Sequence, residues 1–288
     1  MPSNLSITRK PDLDYSATYA HTVPVSDSTG LRVYSDTKPH IWKIADLQKG
    51  LILVHNGTET VGEGTGFGLP VLVYSDETYF SATSKLHVAQ YENRWVIRKE
   101  FIMDRMARNS FRNVILENRK ARDLLAFLAH LYRVHPQFRF LTFKDLTRKM
   151  NIDTAFVKAK PKGRVTVTYT IDNQCILVNA DFEHVKKENL QKIFMLNEQE
   201  SRFYRKYSDS EGIQLTDEKI GAWDGINAEW ACLMALHGTL GFRLRKVENA
   251  ILRRGREFLR DSLDWVGLDY EINPENAVFE YPIEIVGA

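Results

Sequence analysis

Short β-rich runs separated by turn residues constrain the fold of this chain more than any other feature. Between residues 31 and 103 these runs alternate with turn signals, and Asn56-Gly57 separates the runs 51–55 and 58–61. Asn-Gly is the dipeptide most typical of a two-residue hairpin. Because strands joined by hairpins pair antiparallel, we predict an antiparallel β-meander over residues 31–103.

The last run of this meander alternates between apolar and polar residues, which is typical of a half-buried strand. We expect one face to point into the core and the other to point to solvent. The predicted inner residues are Trp95, Ile97, Lys99, Phe101 and Met103, and the predicted outer residues are Arg94, Val96, Arg98, Glu100, Ile102 and Asp104.

The chain then changes character. Leu125, Leu128 and Tyr132 fall at helical spacing, which predicts a helical insert over residues 104–163. Residues 164–181 return to strand alternation. Residues 183–193 and 247–266 read as helices, the second ending at Gly267.

The predicted fold is therefore mainly β (α+β), a large antiparallel β-sandwich with a basic helical insert. We divide the chain into an irregular arm (1–30), the meander (31–103), the insert (104–163) and a β-rich half with one or two helices (164–288). We expect the last part to pack with the meander as a single sandwich.

Charge is concentrated in the middle of the chain. Residues 98–164 contain 17 of the 39 Lys and Arg residues but only 6 of the 37 Asp and Glu residues. Such a patch is either the solvated side of an amphipathic helix or a surface for polyanions through Arg112, Arg119 and Arg122. The order helix, helix, hairpin resembles a winged helix-turn-helix, but Pro161 limits the recognition helix to about seven residues, roughly two turns.

Glycines cluster at Gly62, Gly64, Gly66 and Gly68. A nucleotide-binding loop would be followed by a helix, whereas Pro70 and a β-rich run follow here. The cluster therefore predicts a kinked or bulged strand, or a backbone that a ligand approaches beside Glu63 and Phe67. Bending predicts a positive φ at Gly66 or Gly68.

Acidic residues beside aromatic ones suggest a carbohydrate site, because sugar rings stack on aromatic faces while carboxylates accept hydroxyl hydrogens or transfer protons. We take Glu63, Glu100 and Asp224 as candidate catalytic acids. Phe67, Arg98, Trp223 and Glu229 are the candidate ligand-binding residues.

Several classes of chemistry lack their signatures. The eight His residues show no metal-binding spacing, no G-x-S-x-G motif occurs, and no cofactor is predicted. The first residues do not resemble a secretory signal, and the longest apolar run, 228–236, is too short to span a membrane, so a cytoplasmic location without membrane contact is expected.

The leading hypothesis is a soluble carbohydrate-binding or carbohydrate-active β-sandwich protein with an open reaction type. One alternative is a nucleic-acid or polyanion binder that uses residues 98–164. The other is a structural or interaction subunit without chemistry. The sequence does not indicate an oligomeric state.

Overall fold

Antiparallel sheets make up nearly all of the computed structural model, which describes residues 20–34, 47–62, 64–75, 77–91, 94–108, 155–260 and 263–287. The described strands form three sheets, of four, eight and nine strands. The prediction of a mainly β fold is confirmed.

The strands are numbered in chain order. The first nine are β1 (Ala20–Pro24), β2 (Thr29–Tyr34), β3 (Ile52–His55), β4 (Thr58–Glu59), β5 (Gly66–Tyr74), β6 (Thr78–Phe80), β7 (Thr83–Tyr91), β8 (Arg94–Ile102) and β9 (Arg105–Arg108). The next seven are β10 (Ala155–Lys158), β11 (Arg164–Asp172), β12 (Cys175–Asp181), β13 (Leu190–Glu200), β14 (Tyr204–Asp209), β15 (Gln214–Thr216) and β16 (Asp224–Gly225). The last five are β17 (Trp230–Ala235), β18 (Gly241–Arg245), β19 (Ala250–Arg260), β20 (Leu263–Ile272) and β21 (Val278–Val286).

Two large sheets pack face to face as a sandwich. The eight-stranded sheet has the order β10-β9-β6-β5-β13-β20-β19-β16, and the nine-stranded sheet has the order β15-β14-β17-β18-β21-β12-β11-β8-β7. Aromatic rings join their inner faces: Phe67 meets Phe242 at 5.0 Å between ring centroids, and Tyr270 meets Tyr281 at 4.7 Å. Such edge and tilted contacts add to the stabilisation from burial.

The four-stranded sheet, β1-β2-β3-β4, connects to the sandwich through a bridge between Leu51 and Phe67. A buried ammonium group reinforces this junction. Lys99, which is fully buried, donates from Nζ to the carbonyl oxygens of Tyr34 at 3.1 Å and Lys49 at 2.8 Å. These hydrogen bonds offset part of the cost of burying the charge.

Local signals predicted the hairpins well. Asn56 and Gly57 form the turn between β3 and β4, with φ angles of 49° and 77°, as a primed turn requires. In β8 the predicted inner residues are the buried ones, and the outer residues alternate with them at partial or full exposure. The prediction is wrong for Asp104, directly after this strand, which is buried and accepts a hydrogen bond from the Ala82 N–H at 3.1 Å. Lys99 belongs to the buried face, as its position in the alternation predicted.

The predicted helices are not found among the described residues, whose single helix is a 3-10 turn at Asp217–Ile220. The described ends of the basic insert are the strands β9 and β10, which pair with each other; Arg112, Arg119 and Arg122 lie outside the described residues. Residues 190–193 belong to β13, and 250–260 and 263–266 belong to β19 and β20. Pairing with distant strands overrides the local helical spacing at these positions.

The glycine run is a bulge. Gly66 and Gly68 have φ angles of 76° and 74°, which confirms the expectation of positive φ. Between Leu69 and Phe67 the pairing of β5 with β13 slips by one residue, so Gly68 is the extra residue. Asn197 completes the bulge, because its Oδ1 accepts a hydrogen bond from the Gly68 N–H at 3.0 Å.

Among the described residues, no helix is long and apolar enough to cross a membrane.

Candidate functional site

Acidic and tryptophan side chains share the outer face of the eight-stranded sheet, which is the face turned away from the nine-stranded sheet. Alternate residues of a strand share a face, as do directly paired residues. Since Val266, Leu268 and Tyr270 of β20 belong to the core, the residues between them point outward together with their partners on β13 and β19. The outward set contains Glu198, Glu200, Arg253, Gly255, Glu257, Trp265, Gly267, Asp269 and Glu271.

Trp223 fills a gap in this face. Gly255 and Gly267 are directly paired, and the indole lies against both. A Cβ at Gly255 would lie 2.4 Å from Trp223 Cδ2, and a Cβ at Gly267 would lie 2.8 Å from Cη2. Trp223 is only 1% exposed, so its ring forms part of the packed floor of the site.

A short loop delivers Trp223 to this position. The 3-10 turn Asp217–Ile220 precedes it, and the Arg256 N–H donates to the Gly221 carbonyl at 2.8 Å. The Asp217 carboxylate is held by the side chains of Arg205 and Arg256. These two arginines tie the start of the loop to β14 and β19.

The pKa of Asp217 is lowered from its ordinary value, chiefly by the hydrogen bond from Arg205 and further by the charges of Arg205 and Arg256. A lowered pKa in the folded state stabilises the fold above the ordinary pKa, and this stabilisation is lost as the pH falls through the folded value. We expect Asp217→Asn to cost about 1–2 kcal/mol at pH 7 in urea denaturation.

At a pH below the lowered pKa of Asp217, the difference between Asp217→Asn and the unsubstituted protein should be smaller than at pH 7, because both then lack the charge. Asn also tolerates the φ of 52° at this position, so backbone strain should not contribute. Glu211→Gln, which changes an exposed acid, serves as the control. A loss of equal size at both pH values would show that the charge is not the cause.

Buried charged residues form the rest of the floor. Glu198 is 2% exposed, and its Cγ lies 3.0 Å from the position of a Cβ on Gly267. Arg253 lies over the Phe194 ring and donates to Glu271 at 3.3 Å. Asp269 accepts a hydrogen bond from the Asn197 N–H at 2.8 Å. Partners of this kind are what charged groups need when they are buried.

A more accessible row lies two residues further along the strands. Glu200, Trp265 and Glu257 are directly paired across β13, β20 and β19, and all three are half-buried. Neighbouring strands lie about 5 Å apart, so an acidic residue stands on each side of the indole. Within the described part of the chain, the buried Nε1 of Trp265 has no hydrogen-bond partner.

The glycine run borders this row. A Cβ on Gly62 would lie 2.7 Å from Glu200 Cβ, and a Cβ on Gly64 would lie 2.5 Å from the Glu198 carbonyl oxygen. The ammonium of Lys49 donates to the carbonyl oxygens of Gly62 and Gly64. Lys49 therefore fixes the loop, which packs closely against Glu198 and Glu200 of β13.

The structure separates most of the residues that the sequence suggested. Arg98 and Glu100 lie together on the outer face of the nine-stranded sheet, 3.3 Å apart. Phe67 is in the core, and Asp224 is exposed at the edge strand β16.

Glu229 is also remote from a packed site, since its side chain is 76% exposed and lies 3.7 Å from Lys246. Glu63 lies outside the described residues, although its neighbours Gly62 and Gly64 border the Trp265 row. Of the predicted site residues, Trp223 is the one that the described structure places on the face with Trp265.

Metal ligands are not grouped in the part of the chain that the structure describes: no set of three or more His, Cys, Asp and Glu residues there could hold a metal ion.

Comparisons with known proteins give distant structural likenesses only. No family model and no curated protein matches the chain. The Slr1438 protein from Synechocystis sp. PCC 6803 is similar over 100% of both chains, with 8% identity and a TM-score of 0.37. Galactose 1-epimerase from Lactobacillus acidophilus NCFM is similar over 98% of this chain and 99% of its own, with 8% identity and a TM-score of 0.41. At these TM-scores neither likeness assigns a function to this chain.

Proposed function

We propose that this protein binds a carbohydrate at the outer face of the eight-stranded sheet and that the acids there are available for proton transfer to it. The observation that carries this proposal is the row Glu200, Trp265 and Glu257, in which a half-buried indole has a carboxylate on each neighbouring strand. An aromatic surface between polar groups is the combination that a hydroxyl-rich ring requires.

The two kinds of side chain play different roles in this proposal. The apolar face of a sugar ring packs on the Trp265 indole. Glu200 and Glu257 accept hydrogen bonds from hydroxyl groups at the two edges of the ring. Trp223 lies beside this row, and its ring fills the space over Gly255 and Gly267. The ring therefore sets how closely a ligand can approach the backbone of the sheet there.

Rigid support favours binding at this row. The loop at Gly62 and Gly64 is held by Lys49, and Glu200 packs against Gly62. A site whose groups are already in place loses less conformational entropy when a ligand binds.

We test this proposal with Trp265→Ala and Glu200→Gln. A panel of neutral mono- and disaccharides is screened by thermal shift and by saturation-transfer NMR. A sugar present at about 100 times its Kd should stabilise the unsubstituted protein by about 2.7 kcal/mol. Trp265→Ala should weaken its binding by at least tenfold, and Glu200→Gln by about tenfold, because each removes one contact to the ring.

The matched control is Glu248→Gln, which removes an equal charge from an exposed loop and should leave the affinity unchanged. Absence of binding by every sugar in the panel would overturn the proposal. So would binding that survives in Trp265→Ala, because the sugar would then occupy a different place.

A further inference from the structure

The outer face of the nine-stranded sheet is open to solvent and carries two similar charged groups. Along β8, β11, β12, β18 and β21, most residues alternate between buried and exposed or half-buried. Thr166 is an exception, because it lies on this face but is buried. The exposed and half-buried side chains of the face are those that a ligand can reach. This face lies on the opposite side of the sandwich from the Trp265 row.

The first group is centred on Glu100. Its carboxylate lies 3.3 Å from Arg98 and 3.8 Å from Arg164, whose side chains are 54% and 40% exposed. Lys85 lies directly opposite Glu100 on β7 and is exposed. One carboxylate thus faces three cationic side chains, and the group has a net positive charge.

The second group is centred on Glu284. Its carboxylate lies 3.3 Å from Arg243 and 2.7 Å from Arg245. The Arg243 guanidinium also stacks on the Trp230 ring at 4.8 Å. A guanidinium has five N–H donors, so an arginine that uses one or two of them on a carboxylate still presents others to an anion.

The two groups are separated along the face. Glu100 and Glu284 are three strands apart, which is about 14 Å at the usual strand spacing. Across the sheet, Glu100 pairs with Thr166, Thr166 pairs with Asp181, and Asp181 pairs with Val278 of β21. Glu284 lies six residues further along β21, which adds about 20 Å. The direct distance is therefore about 25 Å.

The surface between the groups is not basic. Asp181 and Glu280 point outward there, and Asn179 donates to Glu280 at 3.0 Å. A nucleic-acid strand carries a phosphate on every nucleotide, so some phosphates would lie against these carboxylates. A chain with more widely spaced anionic groups avoids this repulsion.

We propose that this face binds an extended acidic polysaccharide, whose carboxylate groups pair with Arg98 and Arg164 at one end and with Arg243 and Arg245 at the other. Guanidinium and carboxylate groups match as bidentate partners, and the sugar units between the charges cross the polar surface around Asn179. The proposal is independent of the Trp265 row, because it uses a different sheet.

The test measures binding of a hyaluronan octasaccharide, which carries a carboxylate on alternate sugar units only, by isothermal titration calorimetry, beside maltooctaose and a single-stranded DNA octamer. We expect the hyaluronan chain to bind, with an affinity that falls as salt rises from ~50 mM to ~200 mM. Arg98→Gln/Arg164→Gln and Arg243→Gln/Arg245→Gln should each weaken binding by at least about tenfold. These side chains are at the surface, and unchanged melting temperatures would confirm that the variants fold.

Arg202→Gln/Lys219→Gln is the matched control, because it removes two charges from exposed positions on other elements. It should change the affinity less than about twofold. Equal weakening by this control would overturn the proposal in favour of a general charge effect. Equal or tighter binding of the DNA octamer would overturn it in favour of a nucleic-acid surface, and equal binding of maltooctaose would show that the arginines do not select the ligand.

Discussion

Gly255→Ala is expected to destabilise the protein by about 3 kcal/mol or to expel the Trp223 ring from the sheet. The added methyl carbon would lie 2.4 Å from Trp223 Cδ2 and 2.8 Å from its Cα, so neither a rotamer change nor a small shift of the ring relieves the overlap. Because the φ angle of Gly255 is not positive, the cost is steric. Urea denaturation measures the free energy of unfolding, and tryptophan fluorescence reports whether the ring becomes solvated.

The control for this prediction is Gly212→Ala. Gly212 has a φ of 78°, and a Cβ there would meet no atom within 4 Å, so its cost should be the backbone term of roughly 1–2 kcal/mol. The double variant Trp223→Ala/Gly255→Ala should lose clearly less stability than the sum of the two single variants, because the overlap with the indole ring is gone and only the close approach to the Cα of residue 223 remains. Additive losses in that cycle would contradict the proposed cause.

Asn197→Leu is expected to cost about 3–5 kcal/mol, because it leaves two buried donors without an acceptor. The Asn197 Oδ1 accepts hydrogen bonds from the Gly68 N–H at 3.0 Å and from the Tyr281 hydroxyl at 2.9 Å. Asn197 is fully buried, so water cannot replace the lost acceptor at the surface. The free energy of unfolding in urea measures the loss.

Two further variants separate the contributions. Tyr281→Phe removes one donor together with its need for an acceptor and should cost about 1 kcal/mol. Asn179→Leu makes the same exchange on the outer face of the nine-stranded sheet and should stay within about 0.5 kcal/mol. If Asn197→Leu cost no more than Asn179→Leu, the bulge at Gly68 would be held by its backbone alone.

Local patterns in the sequence were sufficient for the hairpins. The Asn56-Gly57 turn and the alternation of residues 94–103 each depend on neighbours within one or two strands, and both predictions are confirmed. The positive φ angles of Gly66 and Gly68 also follow from residues close together in the chain.

The helix predictions failed because strand pairing, both within a hairpin and between segments distant in the sequence, replaces the local helical spacing. Val247, Ile251 and Phe258 lie at helical spacing, but β19 pairs with β20 along most of its length. Gly255, which weakens a helix, was the local signal against this prediction. The absence of a side chain at Gly255 leaves room for Trp223, 32 residues earlier in the chain. A prediction from neighbouring residues does not bring these two positions together.

Because these strands were not predicted, the candidate site on them was not predicted either. Once β13, β19 and β20 are treated as strands, alternate residues of each strand share a face of the sheet. Glu198 and Glu200 then lie on the same face as Trp265 and Gly267. The period of two was present in the sequence, but the pairing that brings Glu200, Trp265 and Glu257 into one row joins three separate strands.

The pairing of β5 with β13 has a consequence for biosynthesis. Every residue of β5 is buried, yet β13 begins about 115 residues later in the chain. At translation rates of about 5–20 residues per second, a ribosome needs roughly 6–25 s to make that stretch. During this interval an apolar strand lacks its main partner and is open to aggregation. Production of the folded protein therefore depends on how well the nascent chain is shielded before β13 is made.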